Sequence, residues 1–140
     1  ASTGCSRSTR APTRSRRTDG KDVPSTRLSV PGDPALALVV RIFIGSVTEQ
    51  WELPEPVRDD LRLAASELFS GAVEAETGDL VTFELSSDDR GIELRAEDVP
   101  VQTEGPDLQG WTGRFDLIRA LFPEADAVGS TVRILVPHPA

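Results

Sequence analysis

Carboxylates at helical spacing near the middle of the chain are the residues best suited to chemistry. Between Pro54 and about Glu76, apolar residues recur every three or four positions and predict a helix. A second stripe on this helix, at the same spacing, consists of Asp60, Leu63, Glu67, Gly71 and Glu74. Residues on one stripe face the same neighbour, so we interpret this stripe as the functional surface of the helix.

Other reactive side chains are scarce. The chain has one cysteine, Cys5, and one histidine, His138. A lone cysteine in a polar segment forms no internal disulfide and indicates no metal cluster, so a reducing cytoplasm is the expected location. His138 lies between two prolines near the end of the sequence and is expected to be unstructured.

The first 27 residues differ in composition from the rest of the chain. They contain seven basic and two acidic residues, with many Ser, Thr and Pro, and cannot bury enough apolar area to fold. Residues 1–27 are therefore predicted to be a disordered basic tail and residues 28–137 one domain. The formal net charge of the whole chain is −8 although the tail is basic, so the domain is strongly acidic. The domain is therefore expected not to bind nucleic acid. No apolar run reaches the roughly 18 residues that cross a bilayer, so we expect no membrane partner.

The first half of the predicted domain contains one strand and one strongly apolar helix. Alternation of polar and apolar residues predicts a strand at 25–30. Asp33 and Pro34 then form a helix start signal, a capping side chain followed by a proline. The helix that follows is apolar on nearly all sides up to Trp51. We therefore predict that it is deeply packed and that Trp51 lies in the core.

The second half adds a hairpin, a helix and a final strand. Alternating segments at 80–86 and 92–97 flank the turn sequence 88–91 and predict an antiparallel hairpin with one wet face. A third helix is predicted at 112–122 and a closing strand at 131–136. This order of elements predicts an α+β two-layer sandwich, with about three helices on one face of a mixed, mainly antiparallel sheet.

Four segments in this order resemble the histidine-kinase-like ATPase (GHKL) superfamily, and specifically the serine-kinase anti-sigma factors of Gram-positive bacteria. The least ambiguous segment is Leu61–Val73, which is similar to the family's helical box of the form ELxxNAxxH. The segment Gly129–Pro137 is similar to the family's last strand. The resemblance covers about residues 26–137 and implies the histidine-kinase-like ATPase fold.

Within the helical box, the resemblance implies that Glu67 is the general base. An asparagine four residues later holds the family's magnesium ion, and this position is Gly71 here. Glycine offers no side-chain oxygen to a hard cation, and Ser70 points about 100° away along the helix. We therefore expect the binding of ATP and magnesium to be weak or lost.

The other nucleotide-binding elements of the family are also altered. The family's adenine-binding Asp-x-Gly-x-Gly stretch corresponds to 98–102, where Asp98 could still contact adenine but both glycines are absent and Pro100 restricts the backbone. The family's glycine-rich lid corresponds to a segment in which Gly113 is kept and Arg114 replaces the last glycine. Thr131, at the start of the last strand, is the remaining position that the resemblance assigns to the nucleotide.

The leading hypothesis is an anti-sigma-like protein that binds a sigma factor and is released by a STAS-domain anti-anti-sigma protein, with a homodimer as its expected state. No cofactor is expected unless the pocket still holds ATP and magnesium. The alternative is an active serine-protein kinase that phosphorylates the anti-anti-sigma protein. A third hypothesis makes the basic tail a docking arm for nucleic acid or an acidic protein.

Plainer interpretations of the same residues stay open. Glu67 could be a solvated helix carboxylate and Asp98 an ordinary loop acid. Arg114 and Arg119 could be surface cations that pair weakly with acidic neighbours.

Overall fold

The computed structural model describes residues 24–75, 80–99 and 111–137. The elements in this part of the chain are β1 (Ser25–Pro31), α1 (Ala37–Gln50), α2 (Glu55–Ala75), β2 (Leu80–Asp88), β3 (Gly91–Glu97), α3 (Trp111–Leu121), β4 (Asp126–Val128) and β5 (Thr131–Pro137). The predicted order of strands and helices is confirmed, with β4 as an addition. The predictions for Cys5 and the rest of the tail up to residue 23, for residues 100–102 and for His138 fall outside the described residues.

The described strands form one sheet in the order β1-β2-β3-β5-β4, and all four pairings are antiparallel. The predicted α+β two-layer class is confirmed, but the prediction of a mixed sheet is wrong for these strands. After α3 the chain returns through β4 and a tight turn, where Gly129 has a φ of 61°, and β5 then runs antiparallel to β3. Strand β4 is only three residues long, which is too short to show an alternating pattern.

The core lies between the helices and one face of the sheet. Alternation along β2 buries Val81, Phe83 and Leu85, and the opposite strand face carries polar and charged residues. Helix α2 buries an apolar stripe of Leu61, Ala64, Ala65, Leu68, Phe69 and Ala72. The predicted faces of β2, β3 and α2 are therefore confirmed.

Helix α1 is much less buried than its composition predicts. Only Val40, Ile44, Gly45 and Thr48 are buried within it, whereas Leu38 is 56% exposed and Ile42 is 57% exposed. The prediction of a deeply packed helix is wrong because the two-layer fold of the described residues covers one face of α1 and leaves its other face exposed. Trp51 is half-buried and packs against the core.

The ordered domain begins before residue 28. Strand β1 begins at Ser25, as the alternation at 25–30 predicts, so it includes residues 25–27 of the predicted tail, and these residues pair with the end of β2. Asp33 accepts a hydrogen bond from the backbone N–H of Ala35, as expected for a cap, but it caps the short 3₁₀ helix Pro34–Leu36 that precedes α1. Among the helices in the described ranges, none is long and apolar enough to cross a bilayer.

Candidate functional site

The predicted functional stripe of α2 faces helix α3. Glu67, Gly71 and Glu74 follow one another at spacings of four and three residues, which places them on the same side of the helix. The side chain of Glu67 is 30% exposed and Gly71 is buried, whereas Glu74, next to the C-terminal residue of α2, is exposed. The two carboxylates are therefore separated by about two helical turns, with a residue that has no side chain between them.

Arg114 connects the two carboxylates. Its Nη1 donates a hydrogen bond to Oε1 of Glu67 at 3.1 Å, and its Nη2 lies 2.8 Å from Oε1 of Glu74. The side chain of Arg114 is only 16% exposed. We call this group of Arg114, Glu67 and Glu74 the arginine clamp. Because Gly71 adds no side chain to the stripe, it leaves room between the two glutamates.

The packing of α3 positions the arginine. Phe115, Ile118 and Phe122 are buried and anchor α3 and the residue after it to the core, so that Arg114, one residue before Phe115, points toward α2. A positive charge in the first turn of a helix is disfavoured by the helix dipole. Two ionised carboxylates at hydrogen-bonding distance offset this cost. Arg119 has a different environment, since its guanidinium lies 4.8 Å from the centroid of the Phe115 ring.

The side chains of this stripe do not fit a magnesium-bound triphosphate. Magnesium binds oxygen ligands at close to octahedral geometry, and here a guanidinium cation lies between the two carboxylates while Gly71 supplies no side-chain oxygen. One oxygen of Glu67 already accepts a hydrogen bond from Arg114, which competes with any proton that a nucleophile would transfer to it. No group of three or more His, Cys, Asp or Glu side chains suited to a metal ion occurs within the described residues.

Of the remaining predicted site residues, Gly113 adjoins the clamp, and Asp98 and Thr131 lie apart from it. Gly113 is exposed in the first turn of α3, next to Arg114. Asp98 is exposed directly after β3 and has a φ of 64°, in the left-handed region. Thr131 alternates with the buried Val132, so its side chain lies on the sheet face turned away from the helices. The structure therefore groups Glu67, Gly71, Gly113 and Arg114, and places Asp98 and Thr131 elsewhere.

The clamp itself was missed by sequence reasoning. The sequence predicts that Arg114 replaces a glycine of the lid or is a weakly paired surface cation. It predicts Glu74 only as a member of the stripe. One signal for this contact is present in the sequence. Arg114 and Glu67 carry opposite charges, and the resemblance places both positions near the nucleotide pocket. A contact between residues 47 positions apart has no local spacing that would reveal it.

Comparison with protein-family models and with curated proteins gives no match to this chain. The resemblance to the histidine-kinase-like ATPases therefore depends on the motifs quoted from the sequence.

Proposed function

We propose that the chain is a regulatory protein of the anti-sigma type, which binds other proteins and has a disabled nucleotide pocket. The observation that carries this proposal is the arginine clamp. It places a cation beside Glu67, where the resemblance requires a general base next to a magnesium-bound nucleotide. The histidine-kinase-like ATPase fold is part of the proposal, and it is supported by the order of elements and by the α+β two-layer architecture.

The clamp disfavours the kinase alternative on electrostatic grounds. Magnesium would have to approach a carboxylate that is already paired with Arg114, and like charges at close range repel. The magnesium ion would also need an oxygen ligand at position 71, where glycine has no side-chain oxygen. Without a free carboxylate at Glu67 and without an oxygen ligand at position 71, the site has little to bind the metal and to position the triphosphate.

Helix α1 supports the protein-binding half of the proposal. Leu38 and Ile42 are exposed one turn apart on the same face, beside a shallow groove of about 330 Å³. Arg41, Arg62 and Glu49 also line this groove, and Arg62 forms an ion pair with Asp59. The side chain of Arg62 lies close to α1. A Cβ added at Gly45, in α1, would come within 2.8 Å of the Nη1 atom of Arg62. An apolar strip with charged residues at its edge suits an amphipathic segment of a partner.

The proposed partners are a sigma factor and a STAS-domain anti-anti-sigma protein in the cytoplasm, with the sigma factor on the α1 face. A homodimer is the proposed oligomeric state. Nucleic acid is not a proposed partner of the folded domain, since the chain carries a formal net charge of −8.

The test is direct titration of the full chain against each purified sigma factor and STAS protein encoded in the genome of its source. We expect at least one sigma factor to bind, and Ile42→Asp to weaken that binding about tenfold or more. Val128→Asp is the matched control, because Val128 is also an exposed apolar residue, 68% exposed, but lies on β4. Binding of no candidate, or equal weakening by both variants, contradicts the proposal.

The kinase alternative has its own test. The full chain is incubated with radiolabelled ATP and each STAS protein. Label on a serine that is lost in Glu67→Ala protein would establish the alternative and refute the disabled pocket. We expect no transfer above the level of the variant.

A further inference from the structure

A second cavity lies at the other end of α2 from the arginine clamp. It has a volume of about 360 Å³ and lies where the α1–α2 connection meets the ends of β2, β3 and β5. Its walls include Trp51, Leu53, Val57, Ile92 and Val136. Val57 precedes Glu67 by ten residues, so the cavity is about 15 Å along the helix from the clamp. A cavity of this size and composition is typical of sites that bind small organic ligands.

The walls of this cavity are firmly held. Ile92 belongs to β3 and Val136 to β5, and these two residues pair directly in the sheet. Pro54 and Pro137 also contribute to the lining, and proline has a restricted backbone. The cavity therefore exists before a ligand enters, which lowers the entropic cost of binding.

Glu52, one of the residues that line the cavity, has an unfavourable backbone conformation. Helix α1 ends in a Schellman motif, in which the backbone N–H of Glu52 bonds to the carbonyl of Glu49 at 2.9 Å and that of Leu53 to the carbonyl of Thr48 at 3.0 Å. Glu52 occupies the left-handed position of this motif with a φ of 60°. Glycine is favoured there because it has no Cβ, so a glutamate at this position costs stability.

Among the described residues, the carboxylate of Glu52 has no partner. Glu52 is exposed, and within the described ranges its side chain takes part in no ion pair or hydrogen bond. Trp51 lines the same cavity, and aromatic faces attract ammonium groups. Ser87 adds a further polar residue to the lining. A negative charge and an aromatic face beside an apolar cavity favour one kind of ligand, an apolar molecule with a positive charge.

We propose that this cavity binds a small organic amine, with its apolar ring system between Leu53, Ile92 and Val136 and its ammonium group at Glu52 and Trp51. Unsaturated or aromatic bodies of about 12 non-hydrogen atoms suit the volume. The site is independent of the nucleotide pocket and of the proposed regulatory function. The unfavourable backbone at Glu52 is retained because the carboxylate binds the amine.

The probes are tryptamine and tryptophol, which share an indole and differ in carrying an amine or a hydroxyl group. Each is titrated into the isotope-labelled full chain, and the amide and methyl signals around the cavity are followed by NMR. We expect saturable shifts at Ile92 and Val136, with a dissociation constant of about 1 mM for a ligand of this size. Tryptamine should bind about fivefold more tightly than tryptophol.

Glu52→Gln tests the source of the preference, because it removes the charge and keeps the shape of the side chain. In this variant the two probes should bind equally well, within about twofold. Glu124→Gln is the control: Glu124 is exposed and lies outside the cavity lining, and its loss changes the net charge by the same amount. This control should keep the full preference for tryptamine.

Three results overturn the proposal. The first is the absence of saturable shifts at the cavity by about 10 mM of either probe, which is above the expected dissociation constant. The second is equal affinity for tryptamine and tryptophol in the unchanged chain. The third is a preference for tryptamine that survives in Glu52→Gln. If a short peptide containing Phe and Lys binds while both probes fail, the cavity is a docking point for a partner protein and the small-ligand proposal is wrong.

Discussion

The two ends of helix α2 differ in what fills the space beside them. Near its C-terminal end, where the resemblance places a nucleotide, Arg114 bridges Glu67 and Glu74 and occupies the stripe with the protein's own charges. Near its N-terminal end, a cavity of about 360 Å³ is lined by Val57 and Glu52, and Glu52 has no ion-pair partner among the described residues. Resemblance to a family identifies where a ligand is expected, but the side chains of the individual chain decide where one can bind.

The largest effect on stability is expected where β3 packs against β5, beside the cavity. Gly91 has a φ of 148°, and a Cβ there would lie 2.1 Å from the carbonyl oxygen of Val136. Gly91→Ala should therefore lower the free energy of unfolding by about 3 kcal/mol, since a fixed backbone atom must move. Thermal and denaturant unfolding measure this change.

Gly129→Ala is the control for this substitution. Gly129 also has a positive φ, 61°, but a Cβ there would meet nothing within 4 Å. Its replacement should cost only about 1 kcal/mol, from the backbone conformation alone. Equal costs at Gly91 and Gly129 would show that the contact with β5 does not hold the cavity wall.

The next largest effect is expected near the C-terminal end of α2, at the arginine clamp. Arg114→Ala should reduce the free energy of unfolding by about 1 kcal/mol, because it leaves Glu67 and Glu74 without their shared cation. Arg119→Ala, in the same helix, is the control and should change stability by less than about 0.5 kcal/mol. A double-mutant cycle with Glu67→Gln measures the coupling, and additive effects of the two substitutions would contradict the clamp.

At the cavity end, one substitution should stabilise the protein. Glu52→Gly relieves the left-handed conformation at the end of α1 and should raise the free energy of unfolding by about 0.5 to 1 kcal/mol. Glu49→Gly, inside the helix three residues earlier, should instead destabilise by a similar amount. A fall in stability for Glu52→Gly would contradict the interpretation that this glutamate is kept for binding.

The smallest effect is a pH dependence at the β2–β3 turn. The backbone N–H of Arg90, followed by its guanidinium, donates hydrogen bonds to Asp88 and holds the pKa of that carboxyl below its ordinary value of 3.8. Because the folded pKa is the lower one, this stabilisation is fully present above about 3.8 and is lost as the pH falls through the folded pKa.

Asp88→Asn should therefore make the protein slightly less stable at neutral pH and should reduce the loss of stability below pH 3.8. Unfolding midpoints measured from pH 2 to 7 check this. Parallel curves for the two proteins would show that Asp88 has no special role in the turn.

Local patterns in the sequence predicted most of the fold. Alternation identified the buried faces of β2 and β3, because a residue's face in a strand follows from its position alone. The exposure of Leu38 and Ile42 could not be predicted in this way, since both are apolar and only the neighbouring layers decide which face of α1 is covered. Strand β4 was missed because three residues carry no detectable period.

The candidate site was predicted in part. The stripe containing Glu67 and Gly71 followed from helical spacing, and Arg114 was identified as an unusual residue in the lid. Their contact could not be predicted, because it depends on how α3 packs against α2. The cavity beside Glu52 had no sequence signal, since its walls come from four separate segments and the left-handed conformation of a glutamate is not visible in a residue pattern.

The central claim is that the arginine clamp leaves no working site for magnesium and ATP. Isothermal titration of magnesium-ATP into the full chain tests it most directly. We predict no saturable binding at nucleotide concentrations up to about 1 mM, where each lost contact has weakened affinity by an order of magnitude or more. Saturable binding with a micromolar dissociation constant that depends on magnesium and on Glu67 would contradict the claim.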